Sequence, residues 1–196
     1  MINYILLCIF AYFLGSINFA RVFASLAHKQ IPEGKNPGTA TVFYGISKPI
    51  GILTGVFDVL KGSFPIFLAR FYLLDPRFSS LFYLLLLGFF AILGHIYPIY
   101  YKFKGGRGAA TTIGVALAIS PIQVLLACIP IYFLCLIFKK SLGWFASVCL
   151  PIVLIIIFFT KDILSFYEYL KGILLIVLLL IIRNFDQIKD KIINNK

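Results

Sequence analysis

Apolar residues run along this chain in stretches too long to be one face of a soluble helix. They occupy about 3–26, 50–71, 78–100, 108–119, 121–138, 142–160 and 164–182. The first three and the last two are long enough to cross a hydrocarbon core of roughly 30 Å as α-helix. The stretch 108–138 is too long for one span, and Ser120-Pro121 falls in its middle, where proline discourages a continuing helix. Dividing it there gives two helices, one of them unusually short, and seven spans in all. Six spans with a kinked fourth helix is the alternative.

Composition agrees with this pattern. With 61% hydrophobic residues, 13% charged residues and a mean hydropathy of +1.01, the chain reads as an all-α polytopic membrane protein, residues 1–196 forming a single domain. The first apolar run has neither a basic segment before it nor an Ala-x-Ala site after it, so it is expected to be a retained span. The net charge of +11 is loop charge and not a nucleic-acid footprint, because no cluster of cations sits on a soluble domain. Lys29, Lys35, Lys48, Lys102, Lys104, Arg107, Lys139, Lys140, Arg183, Lys189, Lys191 and Lys196 fall on one side of a seven-span arrangement, and only Arg70, Arg77 and Lys161 on the other. That bias sets the N-terminus outside and the C-terminus in the cytoplasm. Six spans would separate the tail cations from the earlier loops. Cys8, Cys128, Cys135 and Cys149 lie in apolar stretches without metal-type spacing and read as small buried hydrophobes.

Five polar groups break the apolar pattern, and the seven-span arrangement brings them all toward the cytoplasmic face. Lys102-Phe103-Lys104-Gly105-Gly106-Arg107-Gly108 joins two apolar stretches, followed by Thr111 and Thr112. Glycines allow close backbone approach, the cations supply a positive field, and a helix starting near Gly108 would point its N–H groups at the same spot. This suits a phosphate at a membrane surface; the plainer reading is a turn whose cations only set topology. Lys35-Asn36-Pro37-Gly38-Thr39-Ala40-Thr41 is a turn with side chains able to donate to an anion. Asp58 and Lys61 lie three apart within an apolar span, where each costs about 2.5–3.5 kcal/mol near the bilayer centre. They either pair with each other, or Lys61 meets an anion while Asp58 braces a loop. His95, in Gly94-His95-Ile96-Tyr97-Pro98, ends the third span just before the glycine loop. Ser16, Asn18 and Arg21 sit in the first span, with Arg21 reaching the cytoplasmic edge. No Gly-x-Ser-x-Gly, His-Glu-x-x-His, phosphate-loop or dinucleotide fingerprint is present, nor a histidine–aspartate pair at helical spacing.

In this order the motifs resemble the small bacterial inner-membrane acyl-phosphate:glycerol-3-phosphate acyltransferases (PlsY type), over nearly the whole chain. The resemblance rests on Gly15-Ser16-Ile17, Asn36-Pro37-Gly38, Asp58-Val59-Leu60-Lys61-Gly62-Ser63-Phe64-Pro65, and above all Gly94-His95-Ile96-Tyr97-Pro98 followed by Phe103 to Thr111. It implies a seven-span fold with its active site at the cytoplasmic face. It also implies acyl transfer from acyl-phosphate to the 1-hydroxyl of glycerol 3-phosphate, giving lysophosphatidic acid for phospholipid synthesis, without cofactor or metal. On that resemblance His95, Lys104 and Asn36 are the catalytic candidates. Lys35, Gly38, Thr39, Thr41, Lys61, Gly105, Gly106, Arg107, Gly108 and Thr111 are the phosphate- and substrate-binding candidates. Ser16, Arg21, Asp58 and Asn184 support them. The implied partners are the two substrates and the lipid bilayer, with no nucleic acid.

The chain departs from the family pattern at several points. Gly34 stands at a serine position of the first loop, Thr39-Ala40-Thr41 replaces Ala-Thr-Asn, and Asn18 stands where a proline is expected. The tail signature His-x-x-Asn-Ile becomes Asn184-Phe185-Asp186-Gln187-Ile188, and no Gly-x-Glu follows. Two other readings therefore stand beside the enzyme: an inactive homologue that binds phosphorylated lipid or a partner, and a small transporter of phosphorylated solutes.

Overall fold

A computed structural model describes residues 2–32, 35–72, 80–127, 129, 156, 159 and 163–194. Among the described residues every regular element is helical: α1 (Ile2–Ser16), α2 (Phe19–Leu26), α3 (Thr39–Gly45), α4 (Lys48–Tyr72), α5 (Leu81–Ile96), a 3-10 turn Ile99–Tyr101, α6 (Ala109–Ile119) and α7 (Ile163–Asn194). Residues 121–127 are also helical. The expected span 142–160 lies outside the described residues except for two isolated positions, and the span 121–138 is described only in its first part.

The helices carry their apolar surface outward. Leu53, Val56, Leu60, Phe64, Phe67 and Phe71 recur every three or four residues along α4 and are exposed, while Thr54, Asp58, Lys61 and Ser63 on the same helix are buried. A soluble helix shows the reverse distribution. Lys48–Phe71 and Leu81–Tyr101 are each long and apolar enough to cross a membrane.

One expectation changes. The first apolar run is not a single straight helix: it breaks between Ser16 and Phe19, and its two pieces are bent by 41°. Counted as one span, the bent pair is a third crossing helix. Asn18 causes the restart, because its Oδ1 accepts from the Arg21 backbone N–H (3.0 Å) and so caps α2. The carbonyl of Ile17, released by the break, accepts from Lys61 Nζ at 2.7 Å.

Two crossings set the site. α1 meets α5 where a Cβ on Gly15 would strike Ala91 O and one on Gly94 would strike Tyr12 O. α4 meets α6 in the same manner, Gly62 against Thr111 O and Gly114 against Val59 O. Glycine lets the backbones approach closely, as membrane helices often require. Between the crossings lies a core that includes Ile66, Leu87, Ile92, Ile96 and Val115. α7 is pinned along α5: Glu168 Oε2 accepts from Phe82 N (3.2 Å) at the start of α5, Tyr169 shares a hydrogen bond with Ser120, and Gly172 lies against Leu85. Glu168 does the work of an N-cap there, since Ser80 makes no side-chain cap.

Candidate active site

α4 and α5 build the centre of the site. Lys61 Nζ lies 2.9 Å from Asp58 Oδ1, and His95 Nδ1 lies 3.6 Å from the same oxygen. All three side chains are buried. A buried charge without a partner is expensive, and the Asp58–Lys61 pair leaves neither of these two uncompensated. Of the two possibilities read from the sequence, the pair is therefore made, while Lys61 also holds the Ile17 carbonyl at the α1–α2 break. His95 is 5% exposed, and its Nδ1 has no hydrogen-bond partner among the described residues. A histidine–aspartate arrangement is thus present after all. It escaped notice in the sequence because its members come from two helices and not from one turn.

The glycine loop folds back on the end of α5. Gly105 N–H donates to Ile96 O (3.1 Å) and Gly106 N–H to His95 O (3.0 Å), satisfying carbonyls that a helix C-terminus leaves open. Any Cβ at Gly105 would collide with His95 O and Ile96 O, and one at Gly106 with the His95 ring at Nε2. Glycine is required here for close approach. The consequence corrects one expectation: these two N–H groups are used within the protein, so they are not free donors for a ligand. Lys102 and Phe103 take left-handed backbone angles before them, with φ of 51° and 59°.

The donors left for an anion belong to α6. Gly108, at φ +85°, starts that helix without a side-chain cap. Thr111, in the first turn, is fully buried and its Oγ1 has no hydrogen-bond partner among the described residues. Lys104 and Arg107 are exposed on the loop just before.

The first inner loop approaches from the other side. Asn18 Nδ2 donates to Pro37 O (3.3 Å), tying the Asn-Pro-Gly turn to the α1–α2 break. Among the described residues, Asn36 Oδ1 and Thr39 Oγ1 are buried polar atoms without hydrogen-bond partners, as is Arg21 Nε, whose guanidinium stacks over Tyr101 at 5.2 Å. Thr39 opens α3 beside Gly55 of α4, and Gly38 is the N-cap of α3. Lys35 is exposed and Thr41 half-buried.

Not every candidate joins this cluster. Ser16 returns its hydroxyl to Tyr12 O (2.8 Å) within α1. The side chains of Asn184 and Gln187, and Gly34 itself, lie outside the described residues. One residue was missed: Arg183, counted in the sequence only as a topology charge. Its Nη2 donates to Gly105 O (2.9 Å), its Nε to Gly106 O (3.4 Å), and its guanidinium lies over the Tyr97 ring. The available signal was its place immediately before the tail motif.

Known proteins bear on this geometry. Glycerol-3-phosphate acyltransferase of Blochmanniella floridana is 42% identical over 118 residues, which are 59% of this chain and 58% of that relative. The Pseudomonas aeruginosa protein of the same name is 38% identical over 125 residues, 62% of this chain and 64% of the relative. The matched stretch thus spans less than two thirds of either relative's length. Crystal structures of PlsY (YgiH), an integral membrane glycerol 3-phosphate acyltransferase, in lysophosphatidic acid and glycerol 3-phosphate forms, superpose with a TM-score of 0.77 at 28% identity. They cover 99% of this chain and 94% of that one. The family model for glycerol-3-phosphate acyltransferase matches residues 5–194, and the chain belongs to that family.

Proposed function

We propose that this protein transfers a fatty acyl group from acyl-phosphate to the 1-hydroxyl of glycerol 3-phosphate. The hydroxyl oxygen forms the new ester bond to the acyl carbon, the acyl–phosphate bond breaks, and lysophosphatidic acid and inorganic phosphate are released, the hydroxyl proton leaving with the phosphate. The observation that carries the reading is that, among the described residues, Asn36 Oδ1, Thr39 Oγ1 and Thr111 Oγ1 are buried polar atoms without hydrogen-bond partners, Thr39 packing on α4 at Gly55 and Thr111 on α4 at Gly62. A buried polar atom costs free energy until it is partnered, so these three are the atoms a polar group of a substrate would satisfy.

One phosphate would lie at the start of α6, against Thr111 and the main-chain N–H groups after Gly108, under the charges of Lys104 and Arg107. The second would lie by the first inner loop, near Lys35, Asn36, Gly38 and Thr39, with Thr41 and Arg21 at its edge. Lys61, already paired, would contribute field more than a free ligand. His95, packed beneath Gly106 and facing Asp58, would shape the loop between the two phosphates, with Ser16 behind it and Asn184 on the tail side. An acyl-phosphate is already activated, so holding both phosphates in line and stabilising the oxyanion, the role proposed for Lys104, supplies most of what catalysis needs. The acyl chain would lie between spans.

The same reading takes residues 1–196 as one domain of seven spans in a bacterial inner membrane. Its N-terminus would be outside, its tail and active site cytoplasmic, and it would need no metal or cofactor. The positive-inside charge distribution supports that orientation.

The test is acyl transfer by the purified full chain in detergent, with palmitoyl-phosphate and labelled glycerol 3-phosphate. Lysophosphatidic acid formed by the wild type and lost in Lys104→Ala is the expected result. No product from folded protein would overturn the enzyme in favour of a binding homologue.

A further inference from the structure

We propose that Arg183 is a positioning residue that holds the glycine loop in its ligand-binding shape, a role that rests on the phosphate site proposed at the start of α6. The peptide between Gly105 and Gly106 is gripped at both ends. Its N–H donates to His95 O (3.0 Å), and its carbonyl accepts from Arg183 Nη2 (2.9 Å). The next carbonyl, that of Gly106, accepts from Arg183 Nε (3.4 Å). The two N–H bonds anchor these glycine peptides on one side only, glycine offers no side chain to anchor the other, and the arginine supplies that second hold at the carbonyls. A guanidinium is suited to the task, since its planar fork offers several N–H groups in fixed directions and stacks on a ring, here Tyr97 at 5.7 Å. Gly108 and the first turn of α6 follow directly, so the orientation of the loop sets where the helix N-terminus points.

The geometry of α7 makes this grip possible. Glu168 ties α7 to the start of α5, and Arg183 meets the loop that leaves the end of α5. The rise of an α-helix from one to the other is about 22 Å. The register of α7 is held at the far end of α5 by Glu168, by Tyr169 on Ser120 and by Gly172 against Leu85 together, so the loss of one of these contacts leaves Arg183 at the loop. In a chain whose tail lacks the family's histidine, asparagine and glutamate positions, this contact is the tail's described contribution to the site.

The experiment uses the full chain in detergent with Arg183→Ala, Arg183→Lys and, as a packing control, Glu168→Gln. Two readouts are taken: the KM and kcat for palmitoyl-phosphate and glycerol 3-phosphate, and amide hydrogen exchange on peptides spanning 104–108. Arg183→Ala is expected to lower kcat/KM by about 10- to 100-fold and to accelerate exchange at Gly106. Lysine, which can reach one carbonyl, restores part of the rate, and millimolar guanidinium restores part of it to the alanine variant. Glu168→Gln is expected to lower the melting temperature without either effect on the loop. Unchanged exchange at Gly106 in Arg183→Ala would overturn the proposal even if turnover falls. So would an equal loss in Glu168→Gln, or an alanine variant within twofold of wild type. If the wild type makes no product, the acyl-transfer reading fails by itself, and the exchange measurement still decides the role of Arg183.

Discussion

At the scale of single residues, the site is governed by contacts that leave no room for substitution. Gly106 lies against the His95 ring, so Gly106→Ala must push the imidazole or the loop aside. Overpacking of this kind costs about 1–3 kcal/mol, and here the displaced group borders the proposed phosphate site. A fall in acyl transfer of about tenfold or more is expected, whereas Gly45→Ala, whose added methyl meets nothing within 4 Å, should leave the rate unchanged. Comparing the two rates at equal protein levels checks it. The buried pair behaves differently. Asp58→Asn leaves Lys61 as an uncompensated buried charge and should cost about 3–5 kcal/mol. Adding Lys61→Met should recover part of that loss, while sacrificing the bond to Ile17 O. Unfolding of Asp58→Asn, Lys61→Met and the double variant in detergent reads the coupling, and additive losses would mean that the pair contributes nothing as a pair. The sequence displayed Asp58 and Lys61 as one group able to pair and His95 as a separate anomaly. It did not display that they share one carboxylate, because helical spacing relates residues within an element and is silent on which faces of α4 and α5 meet.

Among the elements, the break between α1 and α2 was hardest to read. Residues 3–26 are apolar almost throughout and contain no proline, so hydropathy reports one span. The signal lay in Asn18, an N-cap residue standing in the middle of the run. Its two ends do separate jobs: Oδ1 caps α2 and Nδ2 holds Pro37 O. Asn18→Ala removes both and should cost about 1 kcal/mol for the cap alone. Asn18→Ser keeps a capping oxygen but cannot span to Pro37, so it should retain stability while loosening the first inner loop. The two effects separate when thermal unfolding is measured beside the KM for glycerol 3-phosphate. If both variants lose stability equally, the cap is not what Asn18 provides. The short α3 was also absent from the sequence reading. Seven residues with two threonines carry no helical period, and the element is held by Gly51 of α4 closing on Phe43. By contrast α4, α5 and α6 follow the apolar runs closely, since burial in lipid leaves helix as the available backbone state.

For the whole molecule, the position of the tail decides between seven spans and six, and with it whether Arg183 and the glycine loop can share a site. The described residues already bring them together, with Arg183 donating to Gly105 O and Gly106 O. A contact of that kind demands that the end of α7 and the loop after α5 emerge on one face of the membrane. The charge distribution carries the same demand, since Lys35, Lys104 and Lys189 are all on the cation-rich side only if the number of spans is odd. Single cysteines at these three positions should therefore react with a membrane-impermeant maleimide from the same side, and a cysteine at Lys161 from the opposite one. A background in which Cys8, Cys128, Cys135 and Cys149 are replaced by alanine removes competing thiols. Labelling of the Lys189 position from the side opposite to Lys104 would leave six spans as the arrangement. The bond between Arg183 and the loop would then be incompatible with the protein in its membrane, and the proposed phosphate site would lose the tail as its support.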